Sequence, residues 1–355
     1  MKILFYINTL GRGGAERVIS NLAGVLSEDT SNEVILVTSK KVDLEYELNP
    51  KVRRIVLLED GCKARKIKRN MLLIKSLRAT LKSELVDIAV AFTPEPNFRL
   101  LLAARNLKIK TIVSVRNDPK KEYPNAVYKL LANVMYKRAT RIVFQTPDAQ
   151  NCFPASIRKK SLVIMNQVND KFYSTQINEN GKDIITLGRL TEQKNHKLLI
   201  EAFSEIKDEI SENLVIYGEG PLRKELEQLV NDLGLQNRVF LPGNTDDAAH
   251  VLSNAKIFVL PSDYEGMPNA LLEALATGLP CISTDCPCGG PKMVINNNEN
   301  GILVPIKDKN ALSSAIKTLV INQEQANKLG ANAKASAKMF SPDAIISEWK
   351  KCLFD

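Results

Sequence analysis

Short, largely apolar runs alternate with longer amphipathic stretches along nearly the whole chain. Runs at 3–7, 34–37, 54–58, 88–92, 111–115 and 141–145 are close to continuously apolar rather than alternating, which predicts strands buried on both faces of a parallel sheet. After a polar stretch over 166–182 the pattern restarts, with runs at 184–187, 214–217, 239–241, 257–260, 280–283 and 301–304. The amphipathic segments between them predict crossover helices, and 311–319 with 324–340 predict closing ones after a turn at 296–301. The expected fold is α/β, with two doubly wound Rossmann-like domains, 1–165 and 166–340. Open parallel sheets hold ligands beyond the carboxyl ends of their strands, so two facing domains of this kind predict a site in the cleft between them.

Length and composition agree with this picture: 355 residues, 44% hydrophobic and 25% charged, describe a soluble globular chain too long for a single core of ordinary size. The N-terminal apolar run is too short for a signal peptide and no run reaches membrane-spanning length, so a cytoplasmic chain is expected. Six cysteines without a CxxC pair, in mostly apolar surroundings, read as reduced thiols; Cys286 and Cys288 are too close for a usual structural zinc pair, and no metal site is expected.

Charge is unevenly divided. Residues 1–165 carry 30 Lys and Arg against 15 Asp and Glu, whereas 166–355 carry 19 against 25. Much of the excess lies in Lys63, Arg65, Lys66, Lys68, Arg69, Lys75, Arg78 and Lys82, with no acid among them. Ile67, Met71, Ile74, Leu77 and Leu81 recur there at helical spacing, which predicts a basic amphipathic helix. Such a helix either sits on an anionic membrane surface or packs its stripe into the core and solvates its basic face. Nucleic acid is set aside, because no zinc finger, helix-turn-helix or aromatic-rich basic sheet accompanies the charge.

Four loops at predicted strand ends carry candidate chemistry. Asn8-Thr-Leu-Gly-Arg-Gly-Gly-Ala-Glu-Arg17 places Gly13 and Gly14 between a strand and a helix, where backbone can approach a ligand or simply turn. It does not fit a dinucleotide fingerprint, and no acidic residue follows the second strand. Gly188-Arg-Leu-Thr-Glu-Gln-Lys-Asn-His196 brings Arg189 and Lys194 to the start of a helix, where two cations either neutralise a leaving diphosphate or are ordinary surface charges. Tyr217-Gly-Glu-Gly-Pro-Leu222 is a tight strand-to-helix turn around Gly218. Pro261-Ser-Asp-Tyr-Glu-Gly-Met-Pro-Asn-Ala-Leu-Leu-Glu273 sets Glu265 and Gly266 in a loop and Glu273 on the helix that Pro268 opens. A helix N-terminus between two carboxylates suits a phosphate flanked by hydroxyl-rich groups, the layout of a nucleoside diphosphate sugar.

Those loops, in that order, resemble the retaining glycosyltransferases of family 4, which have the GT-B fold. Glu265 and Glu273 match the E-x7-E motif, Gly188–His196 matches G-R-L-x(3)-K-N, and Asn8–Arg17 matches the glycine-rich first loop ending in G-G-A-E-R. The resemblance implies that Arg189 and Lys194 contact the donor diphosphate, Glu265 the donor sugar and Glu273 the ribose. It implies that Gly266, Met267, Pro268 and Asn269 belong to the donor site, that Gly13 and Gly14 lie near phosphate and acceptor, and that Gly218 and Gly243 border the base. It also implies a C-terminal helix, over about 341–355, that crosses back onto the first domain. Many members carry a histidine after the fifth strand where this chain has Arg116, followed by Asn117; an arginine cannot act as a base and would bind phosphate or acceptor.

The expected activity is metal-independent, retaining transfer of a hexose or N-acetylhexosamine from a UDP-linked donor, without a cofactor. The resemblance to capsule, exopolysaccharide and lipopolysaccharide enzymes implies a glycan or lipid-linked oligosaccharide acceptor and a peripheral place on the inner face of the cell membrane, through the basic first domain. A sugar-nucleotide epimerase and an idle donor-binding subunit are the alternatives.

Overall fold

The computed structural model describes every residue except Arg12 and residues 59–65, so Cys62, Lys63 and Arg65 of the sequence analysis lie outside it. The described chain forms two compact units, Met1–Asn166 with Ile346–Asp355, and Gln167–Ile345.

The first unit is a parallel sheet of β1 (Lys2–Ile7), β2 (Glu33–Thr38), β3 (Arg53–Val56), β4 (Ile88–Phe92), β5 (Lys110–Ser114), β6 (Arg141–Phe144) and β7 (Ser161–Val163). Their order is β3-β2-β1-β4-β5-β6-β7. In β1 and β2 two runs of five consecutive positions, Ile3–Ile7 and Val34–Thr38, are buried, the burial on both faces that the unbroken apolar runs require. The seventh strand was not expected; it is three half-buried residues at the sheet edge, too short to leave a pattern. Helices α1 (Gly14–Glu28), α2 (Lys66–Ser83), α3 (Pro94–Ala103) and α4 (Ala126–Tyr136) make the principal crossovers.

The basic helix forms, but with a different inner face from the one the spacing predicts. Leu73, Leu77 and Leu81 are its buried residues, while Ile67 and Met71 are 78% and 55% exposed. The first two turns of α2 therefore project beyond the core, and only the last turns meet α3 and the sheet. Arg78 is not part of the free basic face either: its Nη1 donates to the carbonyls of Ala103 (2.6 Å) and Arg105 (2.7 Å), closing the C-terminal end of α3.

The second unit holds β8 (Asp183–Leu187), β9 (Leu214–Tyr217), β10 (Val239–Gly243), β11 (Ala255–Leu260), β12 (Cys281–Thr284) and β13 (Ile302–Val304), all parallel in the order β10-β9-β8-β11-β12-β13. Its core is aliphatic, built from strand residues such as Ile184, Ile216 and Val259 against Leu199, Phe203 and Ile316 of the covering helices. Helices α5 (His196–Ile206) and α6 (Asn269–Thr277) follow β8 and β11. The closing segments run Lys309–Ile321 and Gln323–Ser336, with a 3-10 turn at Ala337–Phe340. The last helix, α7 (Pro342–Phe354), ends in the first unit, where Trp349 stacks on Phe92 of β4 at 5.8 Å. Among the described residues, no helix is long and apolar enough to cross a membrane.

Candidate active site

In the second sheet β8 and β11 are neighbours, yet the chain leaves β8 towards β9 on one side and β11 towards β12 on the other. The loops beyond their carboxyl ends diverge, which is the switch point where open α/β sheets hold ligands. Residues 188–195 and 261–268 are those two loops. The candidate residues Arg189, Lys194, Glu265, Gly266, Met267 and Pro268 lie on these two loops.

Lys194 and Glu265 join the two loops directly: Nζ lies 2.5 Å from Oε1, with both side chains largely buried. Ser262 donates to the same carboxylate oxygen at 2.7 Å, and Gln193 Nε2 donates to the Tyr264 carbonyl at 3.0 Å. A second tie runs from Asn195 Nδ2 to Asp263 at 2.8 Å, with a backbone bond from the Asp263 N–H to the Gln193 carbonyl at 2.9 Å. Asn195 adopts a left-handed conformation, φ 45°, so its side-chain oxygen also accepts from Leu198 N–H and caps α5. The next residue, His196, is buried with its Nδ1 unpartnered; burial and the nearby Lys194 ammonium push its pKa down to about 3, so it is neutral.

Glu265 is fixed from below as well. Its N–H donates to the Pro287 carbonyl at 2.7 Å and its carbonyl accepts from Cys288 N–H at 2.9 Å. Gly290 is forced by the same closeness, since a Cβ there would stand 1.8 Å from the Gly266 carbonyl oxygen. Met267 is buried, Pro268 sits immediately before α6 rather than in its first turn, and Asn269 begins the helix. Glu273 lies one turn on and is 6% exposed.

Arg189 is placed differently: it is exposed and makes no ion pair among the described residues. Its loop is packed against the β9 turn through glycines. Gly218, at φ +147°, would put a Cβ 1.9 Å from the Gly188 carbonyl oxygen, and Gly220 one 2.4 Å from that of Leu190. Gly218 N–H donates to the Gly243 carbonyl at 2.8 Å, so the ends of β9 and β10 meet as well.

The remaining candidates belong to the first unit. Gly13 and Gly14 open α1 beyond β1, with the Gly13 N–H bonded to the Gly11 carbonyl at 2.7 Å. Beneath this loop sequence reasoning missed a buried network: Arg99 donates to Asn8 (2.6 Å), Asn70 and Glu95, and Asn8 accepts from Ser39. Arg99 is 5% exposed, and a single arginine in an apolar helix gave no signal beyond its being out of place. Thr93, beyond β4, holds φ at 72°, an uncommon backbone for a β-branched residue.

Arg116 lies beyond β5, buried over the Phe92 ring at 4.5 Å and bonded to Asn166 and Ser114. Burial brings its pKa down to about 9, against the support of Glu122. Glu122, which sequence reasoning also missed, is pushed up to about 8 by burial and has an unpartnered Oε2, so it is protonated at neutral pH. Asn117 is spent locally, its Oδ1 accepting from the Asp118 N–H.

Comparison with known proteins accounts for both halves. The family model for Glycosyl transferases group 1 matches residues 167–336, and that for Glycosyltransferase Family 4 matches residues 12–170. An N-acetylgalactosamine-N,N'-diacetylbacillosaminyl-diphospho-undecaprenol 4-alpha-N-acetylgalactosaminyltransferase of Campylobacter jejuni is 26% identical over 99% of both chains. An uncharacterized glycosyltransferase of Methanocaldococcus jannaschii is 30% identical, covering 68% of this chain and 71% of that one. In fold, the chain is similar to Anabaena HepE in complex with UDP and glucose, at TM-score 0.82, 17% identity and 99% and 98% coverage. Two parallel Rossmann-like sheets of the GT-B kind, the paired loops at the second switch point and the matches over both halves converge: the chain belongs to the family 4 glycosyltransferases.

Proposed function

We propose that the protein transfers a hexose or N-acetylhexosamine, with retention of configuration, from a UDP-linked donor to a lipid-linked glycan acceptor in cell-surface polysaccharide assembly. The observation that carries this reading is the Lys194–Glu265 pair bridging the two diverging loops of the second sheet. A lysine ammonium has three donors and Glu265 occupies one, which leaves others for a diphosphate oxygen. Arg189, exposed in the same loop and unpaired among the described residues, would take the phosphates from the other side. Glu265 then orients the donor sugar, and Glu273 accepts from the ribose hydroxyls. Gly266, Met267, Pro268 and Asn269 would line the diphosphate and sugar, and Gly218 and Gly243 the base.

The C1–O bond to the diphosphate breaks as the acceptor oxygen bonds to C1 on the same face, and the acceptor's proton passes to the departing phosphate oxygen. Lys194, held by Glu265, and Arg189 would stabilise the charge that grows on that oxygen, so the reading needs neither a separate base nor a metal. The relative's name supports an undecaprenol-diphosphate-linked acceptor and an α linkage, and the HepE complex supports UDP. Arg116, bonded to Asn166, would bind donor phosphate or acceptor, and Gly13 with Gly14 would lie near the phosphate and acceptor. A lipid-linked acceptor also gives the exposed cations of α2, Lys66, Lys68, Arg69 and Lys75, a role at an anionic inner membrane surface.

The test is release of nucleoside diphosphate from a panel of UDP- and GDP-sugars with undecaprenyl-linked acceptors, in EDTA. Turnover from one UDP-sugar is expected, with Lys194→Ala lowering kcat/KM about 10²- to 10³-fold, the cost of one charge-stabilising donor. Donor binding without turnover across the panel would favour an idle donor-binding subunit.

A further inference from the structure

The first sheet has a switch point of its own. Strands β1 and β4 are neighbours, yet the chain leaves β1 towards β2 on one side and β4 towards β5 on the other. The loop after β1 and the start of α3 therefore diverge where open parallel sheets hold ligands. Asn8 is the first residue beyond β1, and Arg99 stands on α3, the helix that follows β4.

The buried guanidinium fixes the Asn8 side chain. Arg99 Nη1 donates to Asn8 Oδ1 at 2.6 Å and Nη2 to Glu95 at 2.7 Å, while Nε and Nη2 both donate to Asn70 Oδ1 on α2, at 3.1 and 2.8 Å. A guanidinium has donors only, so the atom of Asn8 that faces it is the amide oxygen. A second donor agrees: Ser39 Oγ, bonded to the buried Tyr6 hydroxyl at 2.8 Å, donates to the same Oδ1 at 3.2 Å. The backbone carbonyl of Asn8 is taken as well, by the N–H groups of Ser39 at 3.0 Å and Lys40 at 3.3 Å. Both carbonyls of this residue are thus occupied, whereas Nδ2, with two N–H donors, has no partner among the described residues. Asn8 is half-buried, so its amide is held while its donors stay within reach of a ligand. An apolar side chain of similar volume would serve stability about as well as a buried ion pair; what Arg99 adds is one fixed orientation for Asn8.

We infer that Asn8 Nδ2 donates to a hydroxyl oxygen of the acceptor sugar, and that Arg99 is the positioning residue that aims it. The positive charge of Arg99 is balanced by Glu95 and its donors are spent on the network, so the group offered to a ligand is an uncharged amide. Such a donor suits a hydroxyl better than a phosphate, which calls for charge-assisted bonds. The inference deepens the proposed function and rests on it for the class of acceptor: in that reading the second-unit loops hold the donor, which leaves the first sheet's switch point for the sugar that receives the transfer.

The test is Asn8→Asp, whose carboxylate keeps an oxygen for Arg99 and Ser39 and removes only the two donors, so the melting temperature should not fall. Equilibrium titration in detergent, which needs no turnover, measures binding of the panel's undecaprenyl-linked sugars, of undecaprenyl phosphate without a sugar, and of UDP. The expected result is a loss of at least about tenfold for the sugar acceptor that the parent chain binds, with undecaprenyl phosphate and UDP affinities unchanged. Arg99→Met should weaken the same acceptor in the parent chain and cost nothing further in Asn8→Asp, because residues that act as a unit are not additive. Unchanged acceptor affinity, an equal loss for undecaprenyl phosphate or UDP, additive losses in the double variant, or a parent chain that binds no sugar acceptor would each overturn the inference. Failure of the parent chain to bind UDP would instead sink the transferase proposal and leave the Asn8 result standing.

Discussion

Single residues at the second switch point are held by contacts close enough to be tested one atom at a time. Gly218→Ala would force a Cβ to within 1.9 Å of a backbone oxygen at a φ of +147°, whereas Gly234, at φ +65°, has nothing within 4 Å of the same atom. Gly234→Ala should therefore cost only its left-handed backbone, about 1 kcal/mol, and Gly218→Ala about 2–4 kcal/mol, compared by denaturant unfolding. His196 gives a pH signature. Its folded pKa, about 3, lies below the ordinary value of 6.5, so the stability it contributes is present above 6.5 and is lost as pH falls towards 3, while the unfolded chain takes up the proton. The slope from this group approaches about 1.4 kcal/mol per pH unit, and His196→Gln should flatten the decline between pH 6 and pH 4 relative to the parent chain. An identical decline in the variant would assign the acid sensitivity to other groups.

Elements obey the pattern where it is long and depart from it where neighbours run out. The spacing through α2 gives the helix correctly, but a helix is apolar-faced whether or not another element reaches its far end, so Ile67 and Met71 match the stripe and still stand in water. Leu77, with 0% exposure, sits where the helix meets α3 and the sheet. Leu77→Ala should cost about 2–5 kcal/mol, and Met71→Ala less than about 0.5 kcal/mol, in chemical unfolding. Similar costs at the two positions would contradict this division. The strand β7 escaped notice for the complementary reason: three half-buried edge residues gain their identity only from pairing with β6.

The molecule as a whole completes its first unit with its last helix. Trp349, the only tryptophan, is buried against Phe92, so Trp349→Ala should destabilise the first unit by about 3–5 kcal/mol, read by the melting of that unit. In the parent chain the emission of Trp349 is expected to follow the loss of its packing on Phe92 in the first unit. The sequence by itself determined the two α/β halves and the loops that carry Glu265, Lys194 and the glycines, because buried parallel strands and strand-to-helix turns each leave a local, periodic or compositional mark. Tertiary structure alone decided that β8 and β11 are neighbours, and with that the meeting of Lys194 and Glu265 across 71 positions of chain. It also decided where the cations stand: Arg78 is tied to α3, Arg99 and Arg116 are buried, and the lysines around α4 are exposed. Burial and pairing depend on which elements pack together, and no local pattern records the partner.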